Sequence, residues 1–330
     1  MRRHPTSTTG VNALPLTGES HHREMARRMR AGKTIKENFY RLVASLPPLR
    51  PLFASPQPPP HPAPEPQEPL RLEIVCHCWQ YTRLLKYQLS SLVRNPPSRS
   101  AVRMTVFYSP EDEATEAAVR YFQALEVPGV EWNPRPLPRE RLFRRAIGRN
   151  LAALSTSADW IWFTDCDILF GPGSLDALTD AVRDAQDVLV FPRVHQVSPL
   201  LPPDHTIFRE MEGVPGVLEI EDLEFEPEVR DRAVGGFQVL RGDVARAVGY
   251  CNSIPFYQEP VRQWQKSYED RAFRWLLGTQ GEPVEVPSFY RIRHAQKGRK
   301  GNVPGTEEGG GDGVEVVRGE GSGQAGTDGR

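Results

Sequence analysis

Long apolar runs are missing from this 330-residue chain. It has no uninterrupted stretch of about 18 apolar residues of the kind a membrane-crossing helix needs, and its start lacks the apolar core of a secretory signal. Cysteine is scarce as well. Cys76, Cys78, Cys166 and Cys251 form neither a CxxC pair nor a second ligand pair, which argues against structural zinc and leaves small buried hydrophobes as their reading. Neither sign of charge is in excess, since 41 Lys and Arg face 42 Asp and Glu for a formal net charge of −1. No nucleic-acid-binding module and no internal repeat is present, so no nucleic-acid partner is expected. These absences together predict an intracellular protein, cytoplasmic or peripheral to a membrane.

The balanced total hides uneven ends. Residues 1–70 carry ten Lys and Arg against five Asp and Glu, whereas residues 71–297 carry 27 against 31. Residues 1–50 therefore read as a basic arm, expected to be largely flexible, in which residues 21–30 could touch an anionic membrane surface or nucleic acid, or more often stay solvated. Residues 51–70 contain nine prolines and read as a stiff linker. Residues 298–330 hold twelve of the 27 glycines and almost no aromatics, so ordering them would cost entropy that burial cannot offset. Removing 1–65 and 300–330 is expected to leave a folded core spanning 71–297. The exception is Asn38 to Leu52, where Phe39, Leu42, Val43, Leu46, Leu49 and Leu52 could form a short amphipathic element docked on the core or a membrane.

Within that core, strands and helices alternate. Leu72 to Cys78 predicts a first strand, followed by a helix through Leu84, Leu85, Tyr87, Leu89 and Leu92 that stops at Asn95-Pro96-Pro97. Val102 to Tyr108 predicts a second strand, after which Ser109-Pro110-Glu111 opens a helix with a cap, a proline and an acid. Val130 to Trp132 predicts a third strand, and Arg139 to Leu154 one basic amphipathic helix. Repeated strand-then-helix units predict an α/β fold, a mostly parallel central sheet with helices on both faces.

Trp160-Ile161-Trp162-Phe163-Thr164-Asp165-Cys166-Asp167 is the most informative stretch. A buried apolar strand runs straight into two carboxylates one residue apart, and in open α/β sheets ligands bind beyond that carboxyl end. Hard carboxylate oxygens suit Mg²⁺ or Mn²⁺, which also bridges phosphate oxygens. On its own, Asp-x-Asp is more often a solvated loop or turn.

With its flanks, the chain resembles the glycosyltransferases of the GT-A fold, a Rossmann-like α/β scaffold, and in particular family 2 and the β-1,4-galactosyltransferases. Gly148-Arg149-Asn150 precedes the Asp-x-Asp strand at the family spacing. Val234-Gly235-Gly236-Phe237 is similar to the segment that approaches the donor sugar. Gly249-Tyr250-Cys251-Asn252 and Ser267-Tyr268-Glu269-Asp270 are similar to the acceptor side with its Glu-Asp pair, and Tyr290-Arg291-Ile292-Arg293-His294 to an Ile-Arg-His element.

This resemblance implies a metal-dependent inverting transferase that moves a sugar from a nucleotide-sugar donor, UDP favoured, to a glycan, lipid-linked or other hydroxyl acceptor. Asp270 would be the base and Glu269 would orient the acceptor. Asp165, Asp167 and His294 would hold Mn²⁺ or Mg²⁺, with Asp165 also reaching ribose or sugar. Arg149 would contact nucleotide or phosphate, or belong to an ordinary basic face with Arg139, Arg141, Arg144 and Arg145. Gly235 and Gly236 would let backbone approach the donor, or form a plain turn. Trp264 would be a stacking platform for the acceptor sugar, or a packed core residue. Ser267 could cap the helix that carries the Glu-Asp pair, and His294 sits on a segment expected to be exposed. The stretch from His195 to Arg232, rich in Pro, Asp and Glu, is expected to shape the acceptor cleft. Two other readings stay open, a catalytically silent glycan- or nucleotide-binding protein and a sugar nucleotidyltransferase. The latter would want a Gly-rich phosphate loop, and Cys78-Trp79-Gln80-Tyr81-Thr82-Arg83 does not supply one.

Overall fold

The structure is a computed structural model that describes residues 35–36, 38–40, 42–44, 46–58, 69–209, 216–220, 222–264 and 267–295. The basic stretch 21–30, the prolines from 59 to 68 and the glycine-rich tail 298–330 lie outside the described residues.

After a 3-10 helix at Pro47–Leu52, the first half of the chain runs β1 (Leu70–Cys78), α1 (Thr82–Arg94), β2 (Ser100–Tyr108), α2 (Glu113–Gln123), β3 (Val130–Pro136), α3 (Arg139–Leu142), α4 (Arg145–Ser155), β4 (Trp160–Phe163) and β5 (Ile168–Phe170). The second half runs α5 (Ser174–Arg183), β6 (Leu189–Pro192), β7 (Val194–Val197), α6 (Thr206–Arg209), β8 (Glu226–Val229), β9 (Gln238–Arg241), α7 (Gly242–Val248), α8 (Pro255–Gln258), α9 (Glu269–Leu277), β10 (Glu282–Val284) and β11 (Phe289–Arg291).

Seven strands form the central sheet in the order β10-β6-β9-β4-β1-β2-β3. Every neighbouring pair is parallel except the two made by β9, which runs antiparallel to both β4 and β6. The near-continuous apolar runs of β1 and β4 follow from burial on both sides. Along β1, Ile74, Cys76 and Cys78 face a cluster shared with α1, α2 and α5, while Val75 faces a second cluster with α4, α7 and α9. Helices thus cover both faces of a mixed α/β sheet. All four cysteines are buried free thiols.

Three details differ from the pattern read in the sequence. The helix expected from Arg139 to Leu154 is two helices, because Arg144 leaves helical geometry and its guanidinium lies 4.7 Å over the ring of Phe256. Asp112, not Ser109, caps α2, its side chain accepting from the Thr115 backbone N–H at 3.3 Å. A second sheet, β5-β11-β7-β8, is built from strands of three or four residues that carry too little periodicity to be read.

Residues 46–58 lie against the core. Phe53 meets Trp275 at a ring distance of 5.6 Å, the Trp275 indole N–H donates to the Leu46 carbonyl at 3.3 Å, and Gln57 donates to the carbonyls of Leu276 and Leu277. Earlier in the chain, Val43 is buried and the Tyr40 ring stacks on Phe256 at 5.8 Å. Among the described residues, no helix is long and apolar enough to cross a membrane.

Candidate active site

β4 delivers Thr164, Asp165, Cys166 and Asp167 to the carboxyl end of the central sheet, and β5 begins immediately afterwards. Two elements then close on these carboxylates. On α4, Arg145 and Arg149 are four residues apart and so share one helix face. Arg145 Nη1 donates to Asp165 Oδ1 at 2.8 Å, and its Nη2 lies 3.3 Å from Glu269 Oε1. From the second sheet, antiparallel pairing of Arg291 with Ile168 sets Arg291 beside Asp167, with Nε 3.3 Å from Oδ2. The Ile292 backbone N–H also donates to the Asp167 carbonyl at 2.9 Å.

Arg149 is fully buried. It donates to the Tyr250 hydroxyl at 2.9 Å and the Gly235 carbonyl at 3.3 Å, and its Nη2 lies 3.6 Å from Asp165 Oδ1. In this arrangement it positions Asp165 and the Gly235 backbone and has no open face for a ligand. Its neighbour Asn150 accepts from the Tyr250 backbone N–H at 2.8 Å and donates to Asn252 at 3.0 Å. Two segments singled out in the sequence, at 148–150 and 249–252, therefore meet through side-chain bonds.

The glycine pair has two separate reasons. Gly235 takes a left-handed φ of +58°, which turns its N–H towards Asp270 Oδ2 at 3.4 Å. Gly236 passes so close to the Asp165–Ile168 turn that a Cβ would sit 2.8 Å from the Asp165 nitrogen and 2.6 Å from the Ile168 side chain. Its carbonyl accepts from the Trp162 indole at 2.7 Å.

The paired acids at the start of α9 have different surroundings. Glu269 is 2% exposed, bound to Arg145 and to the Ser267 hydroxyl, while the Asp270 side chain is 28% exposed. Asp270 Oδ1 accepts from the Arg271 backbone N–H at 2.8 Å, and Arg274 approaches Oδ2 at 3.7 Å. Ser267 does not cap the helix; Tyr268 holds that position without a side-chain bond.

His294 is buried, unlike the exposed segment expected for it. It makes a bridge with Leu201 in the polypeptide ladder. Its ring packs 4.7 Å from Tyr81 and 6.0 Å from Phe208, with Nδ1 3.3 Å from the Tyr81 hydroxyl. Trp264 is half-buried on the segment before α9.

The carboxylates and imidazole expected to hold Mn²⁺ or Mg²⁺ are not gathered into one site. Among the described residues, no group of three or more His, Cys, Asp or Glu side chains is placed to hold a metal ion. The reason is local: Asp165 is engaged by Arg145 and Arg149, Asp167 by Arg291, and the His294 ring is packed among aromatics. As arranged, these residues do not fit the cation.

Arg145 and Arg230 carry much of the site's electrostatics and have no assigned role in the motifs. Burial disfavours the Arg145 charge, but Asp165 and Glu269 outweigh it and hold the guanidinium more firmly protonated than usual. Arg291 behaves likewise beside Asp167 and Asp165. Burial and the nearby Arg291 charge push Arg230 down to about 10, against the pull of Glu228. Arg230 Nη2 lies 3.1 Å from Glu228 Oε2 and 3.1 Å from His195 Nε2, and its guanidinium sits 4.3 Å over the Phe237 ring. Arg145 could have been found from its spacing to Arg149. Arg230 lies in a segment with no recognisable motif.

No family model matches the chain, and no curated protein matches it. Solved structures to which it is similar include TarS of S. aureus. Residues 1–349 of that protein share 11% identity with TM-score 0.39, over 68% of this chain and 60% of that one. A further TarS structure shares 10% identity with TM-score 0.42, over 68% of this chain and 37% of that one. Residues 1–349 in complex with UDP-GlcNAc share 10% identity with TM-score 0.41, over 71% of this chain and 62% of that one. This chain thus spans between 37% and 62% of the length of those structures.

Proposed function

We propose that the chain is an inverting glycosyltransferase of the GT-A type, moving a sugar from a nucleotide-sugar donor, a UDP-sugar favoured, to a hydroxyl of a glycan, lipid-linked or other acceptor. The observation that supports this most is the division between two adjacent carboxylates. Glu269 is locked in a buried ion pair, whereas Asp270 stays open while Gly235 and Arg271 fix its orientation. A general base needs both properties, access to the acceptor proton and a defined direction. Through Gly235, Arg149 and Arg145, the base is tied to Asp165 at the strand end where ligands of α/β sheets bind.

In the reaction, the acceptor oxygen forms a bond to the anomeric carbon from the face opposite the leaving group. The carbon–oxygen bond to the β-phosphate breaks, its electron pair stays on the diphosphate, and the acceptor proton passes to Asp270. Glu269, bound to Arg145, holds α9 against α4 and keeps Asp270 in register. A basic arm at 21–30 adds, on charge alone, a peripheral contact with anionic lipid.

One displacement at the anomeric carbon inverts its configuration, whereas retention through a covalent intermediate needs a second carboxylate acting as nucleophile. Proton NMR of the first product formed, before mutarotation, should therefore show the anomer opposite to the donor's. A retained anomer would overturn the assignment of Asp270 as base in a single displacement.

A further inference from the structure

Arg145 and Arg149 on α4 and Arg291 on β11 meet the two strand-end aspartates, and Arg230, after β8, lies 4.3 Å over the ring of Phe237, the residue that follows Gly236. Arg149 is sealed, but the side chains of Arg145, Arg230 and Arg291 remain 31%, 13% and 22% exposed. Each of the three spends only part of its donor set on protein. Arg291 reaches Asp167 through Nε, so both of its Nη groups stand outside that bond. Arg230 reaches Glu228 and His195 through Nη2, which leaves Nη1 outside those bonds, and its Nε is buried without a hydrogen-bond partner among the described residues. A guanidinium has five N–H donors in a rigid fork and matches phosphate oxygens two at a time.

The balance of charge points the same way. Burial and the Arg291 charge both work against the Arg230 guanidinium, and an anionic ligand beside it would offset that. A divalent cation entering the same place would have to displace arginines from Asp165 and Asp167, and among the described residues no third ligand is arranged to receive it.

We infer that Arg145, Arg230 and Arg291 grip the diphosphate of the donor directly, so that a nucleoside diphosphate binds here without a divalent cation. This rests on the glycosyltransferase reading, since that reading brings a diphosphate to the strand end. The arginines then do what the resemblance assigned to a metal, neutralising charge on the leaving diphosphate.

Calorimetry of the full-length protein with UDP, and separately with inorganic pyrophosphate, tests this in buffer containing EDTA and again with excess Mn²⁺. UDP should bind in EDTA, with an affinity changed less than about threefold by Mn²⁺, and pyrophosphate should compete. Arg230→Ala and Arg291→Ala should each weaken UDP by about tenfold or more, the size expected for a lost charge-assisted bond. Arg230→Lys and Arg291→Lys keep the charge without the fork and should weaken UDP by an intermediate amount, which covers the case in which an alanine variant fails to fold. UDP binding that appears only with Mn²⁺, or arginine variants that bind as well as the unaltered protein, would overturn the inference and leave the proposed activity standing. Absence of UDP binding in both buffers would overturn the inference and count against the donor-site reading as well.

Discussion

Arg149 shows how far a residue's type can be read apart from its placement. Its position on the helix before the Asp-x-Asp strand was legible in the sequence, but its complete burial was not, because burial depends on Tyr250 and Gly235, about a hundred residues away. Asp165, Asp167 and the Glu269-Asp270 pair were legible because each ends or begins a regular element. Arg230 was not, since only the pairing of β7 with β8 brings it to the site. The burial of Arg149 has a measurable consequence. Arg149→Ala would remove a donor from the Tyr250 hydroxyl and the Gly235 carbonyl while Asp165 keeps Arg145, and a lost hydrogen bond to a charged group costs about 1.5–3 kcal/mol. Urea denaturation should show a loss of that order, and a loss below about 1 kcal/mol would mean that Arg149 does not hold the site together. Gly236→Ala puts a methyl where the Asp165 backbone nitrogen and Ile168 leave no room, and overpacking of this kind costs about 1–3 kcal/mol.

At the scale of elements, β1, α1, β2, β3 and β4 follow from their apolar patterning, with boundaries within a few residues of the observed ones, whereas the single helix expected from Arg139 to Leu154 is two. The second sheet does not follow, because β5, β7, β8 and β11 have three or four residues each and the pairing of β5 with β11 joins segments more than a hundred residues apart. It nevertheless decides the site, since it delivers Arg291 to Asp167. The segment at 46–58 is the other element whose role packing alone reveals. Excision through residue 58 would uncover Trp275, Leu276 and Leu277, all of which are buried. Re-exposing side chains of this size costs about 1.5–3 kcal/mol each when burial is complete. The melting temperature of a chain starting at residue 66 should therefore fall by about 5 °C or more relative to one starting at residue 35. Equal melting temperatures would show that the docked segment contributes nothing to the fold.

For the whole molecule, acid should be destabilising well before the carboxylates as a class titrate. Burial, with Arg149 and Arg145 adding to it, holds His77 well below the ordinary histidine value, and burial lowers His195 despite its bond to Glu228. Once unfolded, both would take up protons near pH 6.5, so the unfolded chain binds more protons below that pH and stability declines as pH falls through it. Glu228, held at about 2 chiefly by its bond to His195, adds a second loss of the same sign below about pH 4.5. Urea titrations at pH 7.5, 6.5 and 5.5 should give a falling unfolding free energy, and a flat profile would contradict the assignment of neutral buried histidines. The central claim, that Asp270 transfers the acceptor proton in a nucleotide-sugar enzyme, is tested most directly by one paired measurement. A panel of UDP-sugars is titrated into the unaltered protein and Asp270→Asn, and release of UDP is followed in the same samples. The account predicts that one donor binds both proteins with similar affinity, while UDP release by the variant is about 10²–10⁴-fold slower. Equal rates of UDP release from the two proteins, or no bound donor in either, would contradict it.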